Sequence, residues 1–157
     1  QSLNSSKDLI LVAATPVTLK LEKFNILLDK LGGRENIIFC PLPKLVEFAE
    51  KGNFETNEVS EYIKEKLKDI EMQRIQSVVL GCTHFSYFKP IFNDIFNNRI
   101  NFFDGIIGTI KQLKKQAPTC CGNKSSVVFM ESGKKISNTR ISYYTGLIKK
   151  IEGMSRC

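Results

Sequence analysis

The chain has 157 residues, 42% apolar and 25% charged, a length that suits one compact domain or a domain and a fraction. No apolar run approaches the roughly 20 residues that cross a bilayer, and the N-terminus lacks the basic-then-apolar pattern of a signal peptide, so a cytoplasmic protein is expected. The formal net charge of +7 is unevenly held, because residues 1–103 balance 13 basic against 13 acidic side chains while residues 104–157 carry 10 basic and 3 acidic ones. A basic final third suits a nucleic acid, an anionic membrane surface, or packing against an acidic complement elsewhere. Five irregularly spaced cysteines, no CxxC pair and a single histidine argue against a disulfide framework or a structural zinc site, and reduced thiols are expected. Because it begins on Gln1 rather than Met, the chain is expected to be a processed or partial product.

Residues 8–14 (Asp-Leu-Ile-Leu-Val-Ala-Ala) form a continuous apolar run, the signature of a short strand covered on both faces. Thr15-Pro16 follows, and the pair predicts an N-cap and first turn of a helix that runs to about Leu31 and stops at Gly32-Gly33. Asn36–Cys40 reads as a second buried strand, with Pro41 and Pro43 punctuating the turn before Leu45, Val46, Phe48 and Ala49. From about Glu55 to Glu71 the apolar residues Val59, Tyr62, Ile63, Leu67 and Ile70 recur at helical spacing, with charges on a solvated face. Ser77–Gly81 is the third strand signal and leads into the turn Cys82-Thr83-His84. Phe88–Phe96 reads as a helix and Ile100–Phe103 as a fourth strand. Strands alternating with helices predict an α/β domain over residues 1–103, a parallel, flavodoxin-like sheet with helices on both faces. Beyond it come a helix at Ile106–Gln116, a Cys/Gly/Asn/Ser loop, a strand at Val127–Met130 and a final helix from about Tyr143. That is a thin core for residues 104–157, which are expected to pack on something else.

Ligands of open parallel sheets bind beyond the carboxyl ends of the strands, which directs attention to Thr15 with Thr18, Cys40, Cys82-Thr83-His84 and Asp104. A thiol on a strand-to-helix turn beside free backbone N–H groups, with the only histidine two residues away, suits a reactive cysteine; a buried structural cysteine is the alternative. Thr83 offers a hydroxyl and an N–H to a carboxylate. Thr15 and Thr18 place two hydroxyls in the first turn of a helix, where an anion is favoured, although capping alone also explains Thr15. Glu47 and Glu50 lie three apart beyond the second strand, and either suits ordering an ammonium or orienting a histidine. No role is assigned to Cys40, Cys120, Cys121 or Cys157.

Leu80-Gly81-Cys82-Thr83-His84-Phe85 resembles the second-cysteine motif of the glutamate racemases, in the aspartate/glutamate racemase superfamily, usually written LGCTHYP. Ala14-Thr15-Pro16-Val17-Thr18 is similar to that family's ATxxT stretch, Cys40-Pro41 with Leu45–Gly52 to its Cys-Pro segment ending in Glu-x-Gly, and Phe102-Phe103-Asp104 to its strand-Asp. On that register Glu50 rather than Glu47 takes the family's glutamate position. Phe85 stands where the motif carries Tyr and Ser86 where it carries Pro, and the Cys-Pro segment has about two extra residues. The Asp-Ser motif and the first catalytic cysteine of the family's first half have no counterpart here, so the resemblance covers nearly all of this chain and only the latter part of the family.

The resemblance implies inversion of an amino acid at its α-carbon without pyridoxal phosphate, metal or other cofactor, by two cysteines on opposite faces of the substrate. It assigns Cys82 as one acid/base and His84 as its tuning partner, Thr83, Thr15 and Thr18 to the substrate carboxylates, and Glu50 to the histidine or ammonium side. It implies D-glutamate supply for peptidoglycan and two α/β domains, with residues 1–103 as the second and 104–157 returning to a first. The partners expected are the small amino-acid substrate and a missing N-terminal half of the same protein, with a homodimer left open and no membrane. On that reading the chain alone has no racemase activity. Aspartate or hydantoin racemase shares the two-cysteine logic and stays open. A non-catalytic domain binding a small anion or a nucleic acid is the alternative of another class, although Lys111–Lys115 lacks the interleaved aromatics that nucleic-acid binding usually brings.

Overall fold

The computed structural model describes residues 8–32, 34–116 and 128–154. Its centre is β1 (Leu9–Ala14), paired in parallel with β2 (Ile37–Pro41) on one side and with β3 (Ile75–Leu80) on the other; β4 (Asn101–Asp104) adds to β3, also in parallel. The order β2-β1-β3-β4 is the opening of the flavodoxin-like arrangement. The apolar run of β1 has the placement that its composition requires, since Leu11, Ala13 and Ala14 are fully buried between two neighbours.

Register decides which side chains share a face. Val12 lies level with Phe39 and Val79, and Val79 with Phe103, whereas Leu11 lies level with Val78, and Val78 with Phe102. Phe24 of α2 (Glu22–Leu31) meets Phe39 edge-on at 6.3 Å, and Phe92 of α5 (Lys89–Ile95) meets Phe102 at 6.4 Å, so helices cover both faces as expected. Phe54, Phe85, Phe88, Phe92 and Phe96 are essentially inaccessible to solvent. Each such ring contributes roughly 1.5–3 kcal/mol of transfer free energy, which makes this group the main anchor of the elements that follow β3.

Three helices between β1 and β4 depart from the expected spans. The helix expected from Thr15 to Leu31 is two, α1 (Pro16–Lys20) and α2, separated by Leu21 in an extended conformation with ψ 127°. The amide of Asn25 stabilises the break by donating to the carbonyls of Leu19 and Leu21. Gly32, at φ 68°, ends α2. The helix expected over 55–71 is α4 (Asn57–Leu67); the Thr56 hydroxyl accepts from the Val59 amide at its start, and Ile70 falls in the turn beyond. The helix expected over 88–96 is preceded by a separate 3₁₀ turn, Thr83–Phe88, and α5 then starts with Pro90 in its first turn, where the missing N–H costs no hydrogen bond. Between β2 and α4 runs α3 (Lys44–Glu50), a helix not assigned from the sequence, and after β4 runs α6 (Ile106–Gln116), as expected.

The chain divides into two compact units, residues 1–113 and 114–157. In the second unit, β5 (Met130–Glu131) and β6 (Lys134–Lys135) form an antiparallel hairpin, followed by α7 (Asn138–Met154). The strand expected at 127–130 is therefore only Met130–Glu131, because Ser132 and Gly133, both at positive φ, place a tight turn directly after it. Val127 lies outside the described residues, as do the preceding loop with Cys120 and Cys121, and Cys157. Helix α7 begins five residues before Tyr143, where the Ser137 hydroxyl accepts from the Arg140 amide at 3.4 Å. Among the described residues, no helix is long and apolar enough to cross a membrane.

Candidate active site

The strand order reverses between β1 and β3, and the crevice beyond the carboxyl ends of those two strands is where this topology leaves room for a ligand. Gly81 brings the two exits together. Its amide donates to the Ala13 carbonyl at 2.8 Å, and a Cβ at this position would lie 2.9 Å from the Ala14 Cβ. Only glycine lets the turn after β3 lie this close to β1, so the segment carrying Cys82 leaves the sheet beside the segment carrying Thr15.

Thr15 caps α1, its hydroxyl accepting from the Thr18 amide at 3.3 Å, and the Thr15 and Thr18 hydroxyl oxygens are 2.9 Å apart. Across the crevice Cys82 is extended and its carbonyl accepts from the Phe85 amide to open the 3₁₀ turn. A three-residue period puts Phe85 and Phe88 on one side, and both are fully buried, which leaves Thr83 exposed and His84 half-buried on the outer side. The Cys82 Sγ is 3.7 Å from His84 Nδ1, and His84 Nε2 is 3.0 Å from Glu50 Oε1.

Glu50 reaches His84 because of how α3 ends. Gly52, at φ 70°, donates to the Ala49 carbonyl while Asn53 donates to the Phe48 carbonyl, the paired bonds of a Schellman motif. Phe48 and Ala49 are buried, and α3 packs against the 3₁₀ turn, so the last side chain of the helix projects toward the histidine. Of the two candidate glutamates, Glu50 is the one hydrogen-bonded to His84. With a proton on Nε2, the imidazole donates to Glu50 and leaves Nδ1 to accept from the thiol, an arrangement in which one carboxylate can fix the ring and the ring can exchange a proton with sulfur.

Cys40, the other thiol at a strand end, is only 3% exposed. Burial pushes its thiol up to about 11, with Lys66 opposing, so it stays protonated near neutrality. The structure therefore sets Cys82, His84 and Glu50 in one chain of contacts, places Thr83, Thr15 and Thr18 beyond the carboxyl ends of the two inner strands, and leaves Cys40 in the core.

Sequence reasoning did not single out Ser86 and Lys89. Asp104, at the end of β4, accepts from the Ser86 hydroxyl at 3.1 Å, pairs with Lys89 Nζ at 2.6 Å through the same oxygen, and accepts from the Ile106 amide at 3.0 Å through the other. The Lys89 ammonium, with the Ile106 amide and Ser86 hydroxyl, holds its carboxyl below the usual carboxylate range. A cavity of about 350 Å³ opens here, with Cys82, Thr83, Ser86 and Asp104 on its polar side and Phe103 and Ile106 on its apolar side. The signal available in the sequence was Ser86 itself, a hydroxyl donor where the resembled motif has proline. No group of three or more His, Cys, Asp or Glu among the described residues is arranged to hold a metal ion.

No family model matches the chain. It is 37% identical over 147 residues to the glutamate racemase of Halothermothrix orenii, which covers 90% of this chain and 58% of that protein. It is 35% identical over 151 residues to glutamate racemase 2 of Bacillus subtilis, covering 94% of this chain and 57% of that one. The fold is that of the crystal structure of glutamate racemase from Campylobacter jejuni, with a TM-score of 0.68 at 21% identity over 92% of this chain and 57% of that one. The chain thus spans a little over half the length of these relatives.

Proposed function

We propose that this chain, which belongs to the glutamate racemase family over about half of the relatives' length, supplies one of the two acid/base groups of a cofactor-independent racemase acting on glutamate. The observation that carries the proposal is the Cys82–His84–Glu50 relay at the strand-order reversal.

In the forward direction the Cys82 thiolate takes the α-proton and becomes a thiol, while an acid on the opposite face of the α-carbon gives up a proton to it. Reversal of the two roles returns the other enantiomer. His84 takes the thiol proton that readies Cys82; once Cys82 has taken the α-proton, the imidazolium, stabilised meanwhile by Glu50, releases its proton to solvent, and the opposing acid takes one up again. Charge that develops on the α-carbon spreads into the adjoining carboxylate, and the donors assigned to that group are the Thr83 amide and hydroxyl and the Thr15 and Thr18 hydroxyls. Positioned proton transfer of this kind accelerates a reaction by roughly 10²–10⁴-fold per group.

The opposing acid/base is proposed to come from a complementary segment. Within the described residues the free thiols are Cys40 and Cys82, and Cys40 is buried and held protonated. The same segment would close a site that in this chain leaves Thr83 exposed, and so exclude the water that competes with proton transfer. In the cell the proposed role is D-glutamate supply for peptidoglycan, in the cytoplasm.

Circular dichroism of D-glutamate solutions tests the proposal. The chain alone should leave the signal unchanged. Co-expressed with the portion of the Halothermothrix orenii relative that it does not cover, it should erase the signal, and Cys82→Ser should prevent this. Loss of signal with the chain alone, dependent on Cys82, would overturn the complementary-segment reading; a folded complex that never racemises would overturn the enzyme reading.

A further inference from the structure

We infer that Asp104, with Ser86 and Lys89, is the positioning group that holds the Cys82–His84 turn in its working geometry; the inference rests on the Cys82 reading above. The relay itself is thinly supported from its own side. Cys82 is joined to the sheet through Gly81, His84 is a third exposed, and Glu50 approaches from the end of a seven-residue helix. Phe85 and Phe88 bury the inner side of the turn, and beyond His84 its outer side is tied through Ser86 to the Asp104 carboxylate.

The Asp104 side chain is 8% exposed and joins three elements, of which the 3₁₀ turn and α6 line the cavity. Its Oδ2 takes the Ser86 hydroxyl, two residues beyond His84 on the 3₁₀ turn, and the ammonium of Lys89, the first residue of α5. Its Oδ1 takes the Ile106 amide at the start of α6. Bonds in which an ionised group takes part are stronger than neutral ones, and a shared, mostly buried acceptor makes the three donors interdependent. Lys89 is further placed by Phe102, whose ring centroid lies 6.0 Å from its ammonium. A turn fastened at Gly81 before it and through Ser86 to Asp104 after it, with Phe85 and Phe88 buried beneath, is held with Nδ1 of His84 beside the thiol. Ser86 is specific to this chain's version of the motif, since proline has no hydroxyl to offer.

The test reads the thiol itself and needs no turnover. Iodoacetamide alkylation of Cys82 in the full chain is followed at pH 7 by mass spectrometry of the Cys82 peptide, for wild type, Asp104→Asn, Ser86→Ala, Lys89→Gln and Lys89→Arg, with circular dichroism melts confirming that each variant is folded. Asp104→Asn and Lys89→Gln are expected to slow Cys82 alkylation roughly threefold or more, Ser86→Ala to slow it about twofold, and Lys89→Arg to stay near wild type. In a His84→Ala background the Asp104→Asn effect is expected to disappear, because the geometry being held is that of the thiol–imidazole pair. Should Asp104→Asn not fold, Ser86→Ala and Lys89→Gln decide the matter. Folded variants that all alkylate at the wild-type rate would overturn the inference, as would an Asp104→Asn effect equally large without His84. A folded complex with the complementary portion that never racemises glutamate, while the chain shows this coupling, would refute the racemase reading alone.

Discussion

Cys40 lies near the end of β2 and Cys82 just beyond β3 of the same sheet, and their surroundings differ. Cys40 is enclosed, and its thiol is neutral only when protonated, so burial favours the protonated form. The stabilisation this gives is complete below the ordinary value of 9.0 and is lost as pH rises toward about 11. A gap of that size corresponds to about 3 kcal/mol. Urea unfolding at pH 8 and pH 11 should show wild type losing this component and Cys40→Ala lacking it; equal losses would contradict the assignment. Asp104 runs the other way. Its carboxyl is held below 3.8 chiefly by Lys89, so its contribution is present above that pH and is lost as pH falls through the lowered value. The stability difference between wild type and Asp104→Asn should shrink on acidification below about pH 4. Of these residues, Cys82 and His84 were legible in the sequence because they stand two apart in one turn. The ties of Ser86 and Lys89 to Asp104 were not legible, since they span 18 and 15 positions and depend on where β4 lies.

At the level of elements, two glycines shape the site through the backbone. Gly81→Ala would force a methyl against the buried Ala14 and is expected to cost roughly 1–3 kcal/mol, read as a lower urea midpoint. Gly52→Ala would put an L side chain at φ 70° and cost about 1–2 kcal/mol, while loosening the helix end that presents Glu50. The four strands were readable because each is an apolar run bounded by turn residues, and parallel strands covered on both faces need little else. The break at Leu21 carries no such mark: no Gly or Pro sits there, and the side chain that stabilises it, Asn25, lies four residues on. The short β5 differs for the opposite reason, since Val128 and Phe129 are strand formers but the pairing is set by the Ser132-Gly133 turn, which places only Met130 and Glu131 opposite a partner.

The whole molecule exposes more apolar surface on some elements than on others. In the first unit, Val17, Leu21, Ile26 and Leu27 are open on or between α1 and α2, and Ile106, Ile107, Ile110 and Leu113 form an open stripe on α6, while α3, α4 and α5 show no such residue. The +7 charge resides in residues 104–157, including Lys111, Lys114 and Lys115 of α6. These features suit a proposed complementary segment that brings apolar side chains and carboxylates to the same element. Ile107→Ser or Leu113→Ser should therefore change the melting behaviour of the chain little, within about 0.5 kcal/mol, yet weaken its capture of the complementary portion of a relative in a pull-down. Equal capture would exclude α6 as the contact. The central claim, that Cys82 exchanges the α-proton of glutamate, is tested most directly by proton NMR of D- and L-glutamate in D₂O with the chain and that portion co-expressed. Loss of the α-proton signal with wild type and its full retention with Cys82→Ser is the predicted result; exchange that continues unchanged in Cys82→Ser would contradict it.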